Sequence, residues 1–360
     1  MNLQPLLKQL ETYIEGCVTQ PSMQMQHLSG AGATFQFEQK LCCHFSKRYA
    51  VAYCNATSAL LALTVAMEIK RGEIISTPFT WGGSISPFLL FGSKIVFGAV
   101  EDDTYNLDPN KLFAALSSKT KLVLSTDFNG IPANSKAIKD FCTQHGLFYI
   151  SDSAQSLGAA RDKYPAGFFA DATVLSFSPG KSFFGGEGGA VVTDNAELHE
   201  KLIWYSQHPA RQKKMFGLNG YNEYSPLNGR LNPLAAILLN DMFDHYKKKT
   251  VAYQSQCFDM VCQLKNEGLI IASEQLQESD SSTYFNLMFR ISEKVKINEI
   301  EFYLKTNRLP FQVEMVKPNC IPFDKSFRSQ FAKGYAVSPG LKEQRKVIRT
   351  NEWIKITLKK

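Results

Sequence analysis

Between about residue 28 and residue 240 the chain alternates short apolar runs with helical patterns. That rhythm narrows the possible folds more than any single motif. The spacing predicts strands at Tyr49–Cys54, Ile74–Pro78, Ile95–Val100, Lys121–Ser125, Phe148–Ser151, Thr173–Phe177 and Ala190–Thr193. Helical patterns fall between them at Thr57–Lys70, Asn110–Ser117, Ser135–His145 and Ala196–Tyr205. Such alternation predicts an α/β fold with a mostly parallel sheet covered on both faces. Gly185 to Gly189 reads as a turn that feeds an antiparallel strand. A long helix is predicted from Pro233 to about Asn266, and the residues beyond 268 read as more irregular, ending in a basic tail. The expected division is a large domain over 1–245, its first 27 residues a helical segment, and a smaller α+β C-terminal domain over 246–360.

A chain of 360 residues is long enough for two domains. At 44% hydrophobic and 20% charged it has a soluble, globular composition. The formal charge of +7 suits anionic substrates, but its lysines and arginines are scattered. The densest run, Lys247 to Lys249, reads as a solvated helix face, so no nucleic-acid partner is expected. The eight cysteines form no framework and show no ligand spacing, which predicts reduced thiols, no metal and a cytoplasmic protein. The first residues, MNLQPLLKQLETYIEG, carry acids and no long apolar core, unlike a signal peptide. No apolar run reaches the ~18–20 residues that span a bilayer, so no membrane partner is expected.

Open parallel sheets place their sites at the carboxyl ends of strands. Asn55-Ala56-Thr57-Ser58, Thr80-Trp81, Asp127, Asp152 and Ser176 to Lys181 all fall there. Lys181 sits on a tight turn, between Gly180 and Phe183-Phe184-Gly185-Gly186, where an apolar setting would favour a neutral, nucleophilic amine. Asp152 is either a plain cap or a carboxylate that keeps a ring nitrogen protonated. Gln155, three residues on, could reach a ring hydroxyl. The backbone N–H groups of Thr57 and Ser58, at a helix start, would cradle a phosphate, and Ser176 would add a hydroxyl. Trp81 is either packed or a platform for a flat ring. A lysine, a carboxylate and a phosphate cradle together are what pyridoxal 5′-phosphate (PLP) needs.

Two rival motifs are weaker. Pro179-Gly180-Lys181-Ser182 looks like the end of a nucleoside-triphosphate loop, but Leu175 stands where that loop needs a glycine. Gly30 to Phe35 is a broken dinucleotide fingerprint and is read as a loop.

With these residues in place, the chain resembles the DegT/StrS sugar aminotransferases, aspartate-aminotransferase-like PLP enzymes of fold type I. The family's G-T-x-A-L turn is matched by Ala56 to Leu60, its T-[WF] by Thr80-Trp81, and its E-D-A-A-[QH] by Ser151 to Gln155. Its S-F-x-x-x-K is matched by Ser176 to Lys181, its G-E-G-G by Gly186 to Gly189, and its N-x-R by Asn228-Gly229-Arg230. The match covers about residues 28–250. The resemblance implies that Lys181 holds PLP covalently and that Asn228 reaches the phosphate of a partner subunit, hence a homodimer with shared sites. It further implies transfer of an amino group, from a donor such as glutamate, to a keto group of a nucleotide-linked deoxysugar. Arg230 is a candidate for the anionic parts of these substrates; Arg211, Lys213 and Lys214 are read first as solvated surface charge, with substrate contact the alternative.

The departures are specific. Ala56 replaces the family's turn glycine, Asp127 replaces a histidine of V-H-x-Y-G, and the region near Phe311 to Met315 lacks an H-Y-P-like element. They leave open a non-sugar ketone as substrate, another PLP reaction, or a PLP-binding relative without turnover. The retained Lys181 argues against the family's dehydratases, which carry histidine there.

Overall fold

The computed structural model describes all residues except 1–3, 219–226, 272–280, 292–294, 318, 332, 351 and 359–360. Its strands in chain order are β1 (Tyr49–Tyr53), β2 (Glu73–Ser76), β3 (Lys94–Phe97), β4 (Thr120–Thr126) and β5 (Phe148–Asp152). Then come β6 (Ala160–Arg161), β7 (Tyr164–Pro165), β8 (Ala172–Ser176), β9 (Gly189–Thr193), β10 (Leu287–Ile291), β11 (Phe311–Val316), β12 (Tyr335–Val337) and β13 (Glu352–Leu358).

Eight of these build one sheet in the order β1-β9-β8-β5-β4-β2-β3-β12. Only β9 runs against its neighbours, which confirms the antiparallel strand expected after Gly185–Gly189. All seven predicted strands are present, each within a few residues of its expected ends. On one face, helices Ala56–Ala66 and Ala196–Ser206 bury Leu60, Leu63 and Leu202 against the sheet. On the other, helix Ala33–Phe45 and the long helix Pro233–Asn266 close over Phe177 and Phe183. Each such side chain removed from water contributes about 1.5–3 kcal/mol.

Three expectations are corrected. Residues 33–35, read as loop, begin the helix Ala33–Phe45, whose Phe37, Leu41 and Phe45 recur every fourth residue on its buried face. The predicted helix Asn110–Ser117 is a 3₁₀ turn, Pro109–Ala115, with Leu112 and Ala115 stacked three apart against the core. The region beyond 268, read as more irregular, is built of strands and helices among its described residues. Helix Pro339–Thr350 precedes β13, the central strand of an antiparallel sheet β10-β13-β11. Ile354 and Ile356 of β13 face one core, while Trp353 points the other way and packs on Tyr105. The segment between β11 and β13 returns to the large sheet, where β12 pairs in parallel with β3.

Candidate active site

Turns leaving β1, β2, β5 and β8 enclose a cavity of about 380 Å³. Thr57, Trp81, Asp152, Gln155, Ser176 and Lys181 line it; Ser58 and Asn228, also expected at the cofactor, do not.

β1 ends where Asn55, in extended backbone, caps the helix Ala56–Ala66, and its Oδ1 accepts the Ser58 N–H at 2.8 Å. The cap takes up one of the two amides expected at the phosphate. The Ser58 hydroxyl, for its part, accepts from the Cys54 thiol at 3.2 Å. The N–H groups left for an anion in this first turn are those of Ala56 and Thr57, both in the cavity wall. Gly189 lets β9 start directly beneath this turn, since a β-carbon there would lie 2.4 Å from the Ala56 nitrogen.

Trp81 follows β2 and is 76% exposed, an indole left open in a cavity wall. Gly83 brings it beside Thr57: a β-carbon there would meet Thr57 Oγ1 at 2.7 Å and Trp81 Cδ1 at 2.9 Å. The space between these side chains therefore exists only because residue 83 is glycine.

Asp152 ends β5 in the buried interior and accepts the Ala154 N–H at 3.1 Å. Burial pushes its carboxyl above the ordinary range, opposed by the Ser84 hydroxyl, the Ala154 N–H and the charge of Lys181. Gln155 Oε1 accepts the Asn129 N–H at 2.9 Å, which orients the amide and leaves its NH₂ as the donor for the cavity.

β8 ends at Ser176, whose Oγ is 3.4 Å from that of Ser178. The chain turns through Gly180 at φ 86°, a conformation natural to glycine, and presents Lys181 to the cavity. Burial pushes the Lys181 amine below the ordinary lysine range, and the charge of Asp152 partly offsets this. The amine lies 4.5 Å from the centre of the Phe285 ring.

Sequence reasoning missed Gly83, Ser84 and Phe285 as lining residues. Ser84 had a local signal, standing four residues after Thr80 and bonded to it at 2.9 Å. Phe285 had none, because it arrives from the C-terminal unit. Asp127 ends β4 as expected, yet it does not line the cavity; its carboxylate is buried against Ala133, Ser153 and Ser156. Asn228 takes φ 44° and accepts from Arg230 Nε at 2.9 Å, beside the bridge that joins Tyr53 to Arg230. Arg211 is corrected both as solvated surface charge and as a substrate contact. It is bonded through both terminal nitrogens, at 2.9 and 2.8 Å, to the buried Glu38, which also accepts the Ala52 N–H of β1. Lys213 and Lys214 lie exposed in the last turn of helix Pro209–Phe216.

A doubly covered parallel sheet with a desolvated lysine and a buried carboxylate facing one crevice defines an α/β protein with a lysine-centred strand-end site. The chain belongs to the DegT/DnrJ/EryC1/StrS aminotransferase family, which it matches over residues 18–332. It is 33% identical over 205 residues to the UDP-4-amino-4,6-dideoxy-N-acetyl-beta-L-altrosamine transaminase of Helicobacter pylori, covering 56% of this chain and 54% of the relative. It is 25% identical over 295 residues to the UDP-2-acetamido-2-deoxy-3-oxo-D-glucuronate aminotransferase of Pseudomonas aeruginosa, covering 81% and 79%. The chain spans about half the length of the first curated relatives it matches. Among solved structures, a DegT DnrJ EryC1 StrS aminotransferase from Brucella abortus superposes with a TM-score of 0.72 at 22% identity, covering 99% of this chain and 92% of that one. The fold implied by the resemblance is the fold observed.

Proposed function

We propose that this chain is a PLP-dependent aminotransferase that moves an amino group, with glutamate as donor, to a keto group of a nucleotide-linked sugar. The observation that carries the reading is the meeting of Lys181 and Asp152 in one cavity, beside an open indole and a helix start. The residues present fit the cofactor. The cradle that a β-carbon on Gly83 would fill lies between Trp81 and Thr57. The donor set also suits a phosphate at one end and a protonated ring nitrogen at the other.

Ala56 and Thr57 N–H groups, with Thr57 and Ser176 hydroxyls, would hold the phosphate. Trp81 would lie on the ring, Gln155 would donate to its hydroxyl, and Asp152 would hold the proton on its nitrogen. PLP, when bound, supplies an aldehyde for the covalent link to lysine and a ring that takes up electrons from a carbanion. Lys181, its amine kept neutral more readily by burial, would make that link and then move a proton at the substrate carbon. Phe285 packs beside the amine from the C-terminal side.

The reading includes a cytoplasmic homodimer in which Asn228 of one subunit supports the phosphate in the other. Its absence from the lining of its own cavity is consistent with that role. The division into a PLP-binding domain over 1–245 and a smaller one over 246–360 is proposed with it, supported by the separate core around β10, β11 and β13. No observation favours the reading without turnover, since Asp127, its main motive, lies outside the cavity. Purified protein should lose its visible cofactor band on addition of glutamate and regain it with the right member of a panel of nucleotide keto-sugars. A band indifferent to every amino donor would contradict the reading. Mixing inactive Lys181→Ala with inactive Asn228→Asp protein should restore part of the activity; mixed dimers without recovery would contradict shared sites.

A further inference from the structure

Asp127 is a buried carboxylate that the proposed chemistry leaves without a task. It is 1% exposed. Its Oδ1 accepts the Ala133 N–H at 2.8 Å, and its Oδ2 accepts the hydroxyls of Ser153 at 2.7 Å and Ser156 at 2.5 Å. Three donors converge on the two oxygens, a shell suited to an ionised carboxylate. A neutral imidazole offers one acceptor and could not satisfy them.

Ser153 and Ser156 bracket Ala154 and Gln155, both in the cavity wall, and Ser153 follows Asp152 directly. The Asp127 N–H in turn donates to the Asp152 carbonyl at 3.3 Å. The turn that Asp127 opens continues the connection. Asn129 N–H donates to Gln155 Oε1, and the Gly130 carbonyl accepts from the Ser282 hydroxyl at 3.0 Å and the Thr283 N–H at 3.1 Å. Thr283 Oγ1 donates to the Gln155 carbonyl at 2.5 Å. One polar network thus runs from Asp127 through the turn carrying Asp152 and Gln155 to the segment that bears Phe285.

Two departures from the family pattern meet in this network. Asp127 stands where the resemblance places histidine, Ser153 stands where it places alanine, and the two side chains are bonded to each other. Carboxylate and hydroxyl read as a matched pair that replaces a different pair.

We propose that Asp127 is a positioning residue: through Ser153 and Ser156 it fixes the turn that aims Asp152 and Gln155 into the cavity. The proposal rests on the functional reading above. Burial pushes the Asp127 carboxyl up to about 6, against the three donors, which favour its charged form.

The test is PLP affinity of the full-length protein, followed by fluorescence quenching, with the pH midpoint of the bound cofactor's visible band as second readout. Asp127→Ala should weaken PLP binding about tenfold, the scale of one lost charge-assisted hydrogen bond, and shift the midpoint. Asp127→His should do the same, and adding Ser153→Ala to it should recover part of the affinity, because it removes one of the donors that the imidazole leaves unsatisfied. If Asp127→Ala fails to fold, Ser153→Ala and Ser156→Ala alone should still weaken binding and move the midpoint. Wild-type affinity and midpoint in the folded Asp127 variants would overturn the proposal. Failure of the wild type to take up PLP at all would overturn the functional reading itself, and this proposal with it.

Discussion

In the crevice, Thr57, Trp81, Asp152 and Ser176 each stand at or a few residues beyond the end of the strand that aims them. In the C-terminal unit, Phe285 reaches the same cavity on a segment tied to the large domain by Ser281, which bridges Ala160, and by Ser282 and Thr283, whose hydrogen bonds end on Gly130 and Gln155. The crevice is therefore assembled locally, and the wall opposite Lys181 is assembled at long range. Substitutions in the first region should remove chemistry, and substitutions in the second should loosen it.

The largest effect is expected at Lys181. Lys181→Ala should lower turnover by about a thousandfold or more, because both the nucleophile and the proton carrier are lost. Half-reactions with glutamate, followed spectroscopically, measure this. Asp152→Asn should keep PLP bound yet lower kcat by about 10²–10³-fold, since a neutral amide no longer holds the ring proton. The same substitution removes the charge that holds the Lys181 amine up, so the Lys181 pKa should fall further. In apoprotein, Lys181 should then react with an amine reagent at lower pH than in the wild type. An unchanged profile would mean that the two side chains do not sense each other.

Phe285→Ala should be milder, a few-fold in kcat/KM, because a cation–π contact contributes about 1 kcal/mol. A thousandfold loss there would erase the contrast between the regions. Ile354→Ala, in the fully buried centre of β13, should destabilise the protein by about 2–5 kcal/mol while leaving turnover per folded molecule unchanged.

The last expectation concerns stability and not turnover: a slope in stability with pH. Asp127 has its carboxyl raised from 3.8 to about 6 by burial, against its three hydrogen-bond donors and helped by the charge of Asp152; buried Tyr149 also faces it. The folded state therefore binds this proton more tightly than the unfolded chain. Its contribution to stability is greatest below about pH 4, declines as pH rises towards about 6, and is level above, at up to ~1.4 kcal/mol per pH unit. Asp127→Asn should remove that slope in urea titrations across the window. A slope that survives the substitution would assign it to another group.

The same contrast decides what was legible beforehand. Strands of the large sheet were readable because continuous apolar runs mark buried parallel strands, and the site followed from their carboxyl ends. Helix Ala33–Phe45 was not, because Gly32 precedes it without a side-chain cap and the glycines resembled a loop. β13 was hidden because Trp353 and Ile354, adjacent in sequence, are buried in different cores, which breaks the simple alternation of a half-buried strand. The amide of Ser58 was misassigned because the Asn55 side chain reaches it first. Phe285 and the orientation of Asp127 depend on contacts between distant segments, which no local pattern carries.

The most direct test is borohydride reduction of the PLP-loaded protein, followed by proteolysis and mass mapping. The pyridoxyl mass should sit on Lys181 alone, on the peptide that follows β8. The same mass on any other lysine, or no stable adduct from protein that has bound PLP, would contradict a site centred on Lys181 and Asp152.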